Sequence, residues 1–424
     1  MNETDRLTII PVSGFRQMTT FIQLPRRLYA GLPGYAPPLD LTQRDLLTPR
    51  KNSFFRTGRA QYFLAMRGGK AVGRISAQID PISMAHYGEP VGFFGALDAI
   101  DDMAVVSALL DAAGTWLRRH GMKLMRGPQT LDSNGEFGMM LSGHYALPMV
   151  AMPWHPQWLP GMMEACGCTK ARDLLAYQMR TGPDAEEAHL VPASLRIGEG
   201  RLGNISTRGL RLDRIEEDGE ILRTLYNDAW RNNWGSIPLA REDVQSMIVE
   251  LRPLLKPEHF VLIEQAGKPV CVALVVPNVF DISADLNGDP SPLGWLKLGK
   301  RLLRHEFHSA RVILLGVSST LDGTALGAIM PALAITELMK RGRSLPYRTI
   351  ELGWVLETNL PMRRLIERIT PQPCKRYRFM TDRSNPEPAR PPADGSSHAA
   401  QGASPVRFHP LPARRCPPPP ARCG

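Results

Sequence analysis

Residues 311–317 (RVILLGV) have the composition of a buried β-strand, and residues 318–323 (SSTLDG) follow as a glycine-bearing loop. A helix is predicted over 324–340 and a second strand over 347–355, followed by an asparagine-containing turn and another helix. Where a loop of small residues enters a helix, free backbone N–H groups and the helix dipole face any bound anion. The stretch 309–380 therefore predicts a β-loop-α-β unit that can hold a phosphate or pyrophosphate.

A similar order of elements occurs earlier in the chain. A hairpin is predicted over 61–79 around a Gly-Gly turn, then a strand, and then a helix over 102–120 with acidic residues first and basic residues last. We therefore predict a mixed-sheet α/β fold with two similar domains, residues 1–183 and 184–380. Residues 381–424 are rich in Pro, Arg, Ser and Ala, which predicts a disordered tail.

Composition restricts the classes of partner. The net charge of +10 favours an anionic partner, but the basic residues form no long stripe with interleaved aromatics, so we predict no nucleic-acid partner. The six cysteines have no C-x-x-C spacing, and no histidine pair completes a zinc pattern, which predicts no metal. The acidic start has no signal-peptide h-region, and no apolar run approaches the roughly 18 residues of a membrane span. We expect a cytoplasmic protein.

Several short motifs carry a family resemblance. In chain order they are RGP (126–128), EFG (136–138), GCTKARDLLAY (167–177), NDAW (227–230), NWGSIP (233–238), LGV (315–317), ELGWVLETN (351–359) and KRYR (375–378). Together they resemble the bacterial ceramide-synthase-like branch of the GNAT superfamily of acyl-CoA N-acyltransferases, here with two tandem GNAT-like domains. The resemblance implies transfer of a fatty acyl group from acyl-CoA or acyl carrier protein to a lipidic, sphingoid-type amine. The alternatives are a small-amine or aminoacyl transferase, or a non-catalytic GNAT-like binding protein.

The resemblance also implies a position for the acyl-CoA cosubstrate. Residues 323–325 (GTA) match the Gly-x-Gly/Ala part of the superfamily's pyrophosphate loop, and Asn359 matches an asparagine that contacts the pantetheine arm. Gly323, Thr324 and nearby Gly327 are therefore the candidates for the loop. Thr320 stands where the family usually has Gln or Arg, so binding there would depend on backbone groups. The other interpretation is a tight strand-to-helix connection and a helix N-cap. We expect the C-terminal domain to bind the thioester and the N-terminal domain to shape the acceptor side or to be structural.

Acyl transfer to an amine needs a base for the ammonium proton and an acid for the leaving thiolate. Glu136, in a polar glycine-flanked loop, is our first candidate for the base, and Glu357, just after the second strand, is the other. Tyr377 is the candidate acid. Either glutamate can instead cap a helix or face solvent, and Tyr377 can be an ordinary strand residue.

Two further features have two interpretations each. Trp230 and Trp234 can line a substrate cleft between the domains or pack in the core. The segment 293–307 predicts a basic amphipathic helix with Lys297, Arg301, Arg304 and His305 on one side and Leu293, Leu296, Leu303 and Phe307 on the other. Such a helix can make a peripheral contact with an anionic membrane, here the inner membrane, or pack its apolar side on a sheet.

Overall fold

The computed structural model describes residues 6–131, 135–181 and 204–382. Its N-terminal half contains, in chain order, β1 (Thr8–Pro11), α1 (Gly14–Leu28), α2 (Asp40–Leu47), β2 (Arg59–Arg67), β3 (Lys70–Ile79), α3 (Pro81–Tyr87), β4 (Val91–Ala99), α4 (Met103–Arg119), β5 (Leu124–Gly127), β6 (Met139–Ser142), α5 (Leu159–Ala165) and β7 (Cys168–Arg180).

The C-terminal half repeats much of this order. It contains β8 (Ile205–Arg208), α6 (Ile215–Ala229), α7 (Arg241–Leu251), β9 (Phe260–Gln265), β10 (Lys268–Pro277), α8 (Phe280–Ser283), α9 (Pro292–Leu303), β11 (Ser309–Val317), α10 (Ala325–Gly342), β12 (Thr349–Leu356), α11 (Leu360–Ile366) and β13 (Lys375–Asp382). The prediction of a mixed α/β fold is confirmed. The predicted tail from residue 383 onward, and residues 182–203 around the predicted boundary, lie outside the described residues.

The described strands form one sheet, in the order β1-β2-β3-β4-β5-β13-β7-β12-β11-β10-β9-β8, with β6 beside β13. Each half contributes one parallel pair, β4 with β5 and β11 with β12, and the other pairs are antiparallel. From either end, the sheet begins with the first strands of one half and continues with the last strand of the other half. Strand β13 thus follows β5, and β7 follows β12. Each half therefore gives its last strand to the sheet of the other half.

The long strand β7 joins the halves. Its C-terminal part pairs with β12, from Leu174 opposite Leu356 to Arg180 opposite Thr349, and its N-terminal part pairs with β13. Strand β13 in turn pairs with β5 and β6 of the N-terminal half. It ends at Asp382, two residues beyond the predicted limit of the C-terminal domain.

The helices that follow the first strand of each parallel pair are fixed by N-caps and by apolar packing. The side chains of Asp102 and Thr324 accept hydrogen bonds from backbone N–H groups in the first turns of α4 and α10. Helix α4 buries Val105 and Leu109 in the N-terminal core, and α10 buries Leu333 in the C-terminal core. In both halves this packing positions the helix N-terminus near the end of the preceding strand.

Some predicted elements differ from the structure. The helix predicted over 293–307 is α9, which ends at Leu303, because His305 has φ 53° and is buried with Phe307. Strands β6 and β7 were not predicted, although the residues of β7 form the longest of the family motifs. Within the described ranges, none of the helices combines the length and apolar content needed to cross a bilayer.

Candidate active site

The two central parallel strands of the N-terminal half separate at their C-terminal ends. Strands β4 and β5 pair from Val91 opposite Leu124 to Phe93 opposite Arg126, and just after β5 the Gln129 N–H still donates to the Phe94 carbonyl (2.8 Å). Beyond that point β4 carries a bulge, in which two residues, 96 and 97, stand opposite one residue of β3. Because the extra residue of a bulge is unpaired in the ladder, the bulge leaves backbone polar groups for another partner.

A cleft opens at this separation. It encloses about 760 Å³ of space between protein atoms, including the part open to solvent. Its walls come mostly from α1, α2 and the segment between them, the bulge, and the loops around β5 and β6, and α8 of the C-terminal half contributes one side chain. The lining side chains include Arg26, Tyr35, Asp40, Arg74, Ala96, Asp98, Thr130, Glu136, Trp154, His155 and Phe280.

Glu136, our first candidate for the base, lines this cleft. The backbone of its loop is held by the hydrogen bond from the Thr130 N–H to the Glu136 carbonyl (2.8 Å). The Thr130 hydroxyl donates to the Glu136 carboxylate (3.3 Å). Burial raises the pKa of the Glu136 carboxyl above its usual value, and nearby Arg74 opposes the shift. A carboxylate with a raised pKa in a cleft is suited to accept a proton.

Tyr35 also lines the cleft, although the sequence did not indicate it as a site residue. Its hydroxyl is buried and has no hydrogen-bond partner among the described residues, while its ring packs on Tyr29 and Trp154. Burial raises the pKa of the Tyr35 hydroxyl, so the group stays protonated and can donate. The stretch Gly34 to Pro38 predicts only an extended segment, with no local pattern indicating that the side chain faces a cleft.

The remaining charged groups of the cleft are paired. The Arg74 guanidinium donates to Asp98 (2.7 Å) and to the Phe21 carbonyl (2.7 Å). His155 is buried, its Nδ1 accepts from the Met140 N–H (3.2 Å), and burial lowers its pKa to about 4. A neutral imidazole held in this way contributes to the wall of the cleft. Among the described residues, Glu136 is the lining carboxylate that forms no ion pair.

The other two catalytic candidates lie elsewhere. The Glu357 carboxylate accepts from Lys170 Nζ (2.5 Å) and from the Asp173 N–H (3.1 Å). Tyr377 is fully buried in β13, and its hydroxyl has no hydrogen-bond partner among the described residues. Burial raises the pKa of the Tyr377 hydroxyl. Neither residue lines the cleft of Glu136, so the three candidates do not form one site.

The four predicted acyl-CoA residues lie at two helix N-termini. Gly323 has φ +71° with open space beside it, whereas a side chain on Gly327 would collide with the Leu321 carbonyl. Thr324 caps α10 through the Gly327 N–H (3.0 Å), and Asn359 caps α11 through the Met362 N–H (3.3 Å). Gly327, Thr324 and Asn359 therefore have structural partners, and Gly323 alone faces free space.

The loop before α10 already holds a carboxylate. Asp228 of α6 accepts hydrogen bonds from the Ser318 hydroxyl (2.9 Å), the Ser319 N–H (2.7 Å) and the Ser319 hydroxyl (2.5 Å). Asp322 pairs with Arg231 (3.2 Å) at the same place. A phosphate at α10 would therefore contact the backbone of the helix N-terminus and not the serines of this loop.

The two tryptophans pack on other aromatic groups. Trp230 stacks on Tyr226 (4.9 Å between ring centroids) and covers Gly316. Trp234 meets Phe379 of β13 edge-on (5.5 Å) and lines a smaller cavity than the cleft. Neither tryptophan lines the cleft of Glu136.

The fold has solved counterparts. A tandem GNAT protein from the clavulanic acid biosynthesis pathway, solved without AcCoA, matches with a TM-score of 0.55 and 16% identity over 90% of this chain and 100% of its own. The GCN5-related glucosamine N-acetyltransferase region of a fungal multi-domain GH3 beta-N-acetylglucosaminidase matches with a TM-score of 0.52 and 14% identity, over 89% of this chain and 38% of that chain. The prediction of two tandem GNAT-like units is confirmed, and the protein has a tandem GNAT fold.

Sequence relatives define the branch. No family model matches the chain. The bacterial ceramide synthase of Caulobacter vibrioides is 35% identical over 88% of this chain and 96% of its own length. Protein YghO of Escherichia coli is 33% identical over 85% of this chain and 92% of its own length. The chain belongs to the family of the bacterial ceramide synthase.

Proposed function

We propose that the protein transfers a long-chain fatty acyl group from acyl-CoA to the amino group of a sphingoid-type amine, which yields a ceramide-type amide. The relative named bacterial ceramide synthase supports the reaction class. The observation that carries the proposal is Glu136, a carboxylate with a raised pKa in a cleft whose walls include Tyr35, Trp154 and Phe280. The cleft combines these aromatic side chains with charged and polar ones, which fits an acceptor that has an ammonium group at one end of an apolar chain.

The lining residues account for each proton of the reaction. Glu136 accepts one proton from the substrate ammonium, and the free amine nitrogen then attacks the thioester carbon. Backbone N–H groups of the bulge at Ala96 stabilise the oxyanion. When the carbon–sulfur bond breaks, Tyr35 donates its proton to the thiolate, and the second proton of the attacking nitrogen replaces it. The products are the amide, the free thiol of CoA and a protonated Glu136.

The charges of the cleft fit a cationic acceptor. Asp40, Asp98 and Glu136 supply three carboxylates, and Arg26 and Arg74 pair with the first two at 3.3 Å and 2.7 Å. An ammonium group that enters the cleft therefore meets Glu136, which forms no ion pair among the described residues, while the charge of Arg74 acts on it from nearby. These charges support a proposal in which the acceptor amine binds in the N-terminal half.

For the donor we propose that acyl-CoA enters the cleft where β4 and β5 end, so that its thioester meets the bulge at Ala96. The predicted acyl-CoA residues Gly323, Thr324, Gly327 and Asn359 follow β11 and β12, whose C-terminal ends lie at the opposite edge of the sheet from that of β4. A thioester held by these residues would not serve Glu136, so they stay a prediction for the C-terminal half. An acyl carrier protein is the second donor we consider, and its phosphopantetheine arm would enter the same cleft. We further propose a peripheral position on the inner membrane, which suits a lipidic acceptor, and no nucleic-acid partner.

The test is Glu136→Gln. We expect kcat to fall by about 10²–10⁴-fold, the usual contribution of a general base. In the unchanged protein the rate should rise with pH through the raised pKa of Glu136, because only the deprotonated carboxylate accepts a proton, and the variant should lose this dependence. The measurement is amide formation from a long-chain acyl-CoA and a long-chain amino alcohol, followed by mass spectrometry.

Glu357→Gln is the matched control, because its carboxylate lies outside the cleft and is bound to Lys170. We expect its kcat to stay within about threefold of the unchanged protein. Loss of activity in Glu357→Gln, with activity retained in Glu136→Gln, would assign the base to Glu357. Acylation of short soluble amines as fast as long-chain ones would instead indicate a small-amine transferase.

A further inference from the structure

We propose that α9 is a docking helix that inserts its outer face into the surface of an anionic phospholipid bilayer, beside the mouth of the cleft. Its inner side packs on the C-terminal core through Leu298 and Leu302. On the opposite side, Leu293, Leu296 and Leu303 expose 77%, 71% and 89% of their surface among the described residues.

The exposed leucines form one continuous face. Residues 293, 296, 300 and 303 follow one another at intervals of three and four, so their side chains lie in one row along the helix. The apolar side that the sequence predicted is therefore present, but it points to solvent. Single exposed leucines are ordinary, whereas three on one row of a short helix mark an interaction surface.

The charges on this face fit an anionic surface. Lys300 lies within the row of leucines, and Arg304 follows at the end of the helix, both exposed. Lys297 and Arg301 are held by Asp285 (2.6 Å each), which fixes α9 to the preceding turn. Trp295 is partly exposed at the edge of the face, a position that suits the level of the lipid headgroups.

Helix α9 is tied to the mouth of the cleft by the segment that precedes it. Phe280 of α8 lines the cleft. The Asn287 carbonyl accepts from Arg26 (2.7 Å) and the Gly288 carbonyl from the Asp40 N–H (2.7 Å). Arg26 and Asp40 both line the cleft, so docking through α9 would hold the cleft next to the bilayer. A lipidic amine would then pass between membrane and cleft with a short path through water.

A bilayer explains this face better than an acidic protein such as an acyl carrier protein. Three of the four basic side chains on and next to the helix are paired, Lys297 and Arg301 with Asp285 and Arg304 with Glu306 at 3.9 Å. The exposed leucines are therefore the main feature of this face, and an acidic protein would gain little from them. The side chains of the three leucines are exposed to solvent, as insertion at the headgroup level requires. The proposal rests on the proposed function only for the lipidic nature of the acceptor, and its test does not require activity.

The experiment is flotation of the full chain with phosphatidylcholine vesicles, with and without phosphatidylglycerol. We expect binding to the anionic vesicles and at least a tenfold loss in the triple variant Leu293→Ser, Leu296→Ser, Leu303→Ser. Val249→Ser is the matched control, since Val249 is 76% exposed on α7, and it should bind as the unchanged protein does. The double variant Lys300→Glu, Arg304→Glu should lose the preference for anionic lipid, roughly fivefold for each charge removed.

The leucine variant should keep its melting temperature, because the exchanged side chains are exposed. Equal vesicle binding by the unchanged protein and the triple variant would overturn the proposal. So would binding of acyl carrier protein, but not of vesicles, that is lost in the triple variant. Vesicle binding through α9 in a protein that acylates no amine would leave the docking surface intact and refute the proposed function. An active enzyme that does not bind vesicles would refute the docking surface and leave the proposed function intact.

Discussion

At the scale of single residues, the centre of the molecule contains charges that are removed from water. Lys375 of β13 and Glu351 of β12 are almost fully buried and form an ion pair at 2.8 Å. The Lys375 ammonium also donates to the Leu147 carbonyl (3.1 Å). Arg311 of β11 is buried nearby, and burial lowers its pKa to about 10. Buried charges of this kind are tolerated only while their partners remain in place.

We therefore expect Lys375→Met to lower the free energy of unfolding by about 3–5 kcal/mol, because Glu351 would be left buried without its cation. Chemical denaturation monitored by circular dichroism measures the change. Lys297→Met is the control, because its pair with Asp285 is about half exposed, and we expect a loss within about 1 kcal/mol. Equal losses in the two variants would contradict this account.

At the scale of elements, two histidines and a tyrosine connect three turns of the C-terminal half. His259, just before β9, accepts from the Lys256 N–H at Nδ1 (2.7 Å) and is hydrogen-bonded to the Tyr347 hydroxyl at Nε2. His305, after α9, contacts the same hydroxyl (3.1 Å). Burial lowers the pKa of His259 to about 3 and that of His305 to about 4. Both imidazoles are therefore neutral in the folded protein at neutral pH.

The protein should lose stability as the pH falls from about 6.5 towards 4, since the unfolded chain binds protons at these histidines before the folded chain does. Each group contributes at most about 1.4 kcal/mol per pH unit. The Gln side chain of His259→Gln keeps a hydrogen-bond acceptor and a donor but cannot titrate. The variant should therefore lose less stability than the unchanged protein over this pH range. Denaturation at a series of pH values measures this. An unchanged slope in the variant would show that folding does not shift the pKa of His259.

At the scale of the whole molecule, the exchange of β7 and β13 makes each half depend on the other. Without β13, both β5 and β6 of the N-terminal half lose a neighbour, and β7 loses the partner on one side. The two halves are thus joined by backbone hydrogen bonds and not only by a connecting segment. This arrangement predicts that they fold together.

A fragment that ends at residue 181 should therefore show no cooperative thermal transition by circular dichroism, although it contains the N-terminal half to the end of β7. A chain that ends at residue 382 keeps β13, and we expect it to melt as a single transition close to that of the full chain. Independent folding of the shorter fragment would show that the exchanged strand is dispensable.

The sequence predicts many of the helices and strands because their patterns are local. Helix α10 was expected over 324–340 and occupies Ala325–Gly342, and the hairpin of β2 and β3 turns at the expected Gly-Gly. Residue spacing within one element determines these features, together with caps such as Asp102. The family motifs were equally local, and the relatives confirm the branch that they indicated.

The candidate site was predicted only in part. The polar loop around Glu136 predicts a functional residue, and in the structure Glu136 lines the cleft. Tyr35 and Phe280, however, reach the same cleft from positions far apart in the chain. Trp230, Trp234 and Glu357 are spaced as in the family motifs, and the tertiary structure places them outside the cleft. Sequence spacing fixes neighbours along an element and carries no information about which elements meet.

The sequence by itself determined the class of the protein, its repeated order of elements and the periodicity of its helices. Only the tertiary structure decided that β7 and β13 change places, that the cleft forms in the N-terminal half, and that the leucines of α9 face solvent. The physical reason is the same in each case. Local propensity and periodicity arise from residues a few positions apart, whereas strand order, clefts and exposed faces depend on contacts between segments that have no common local pattern.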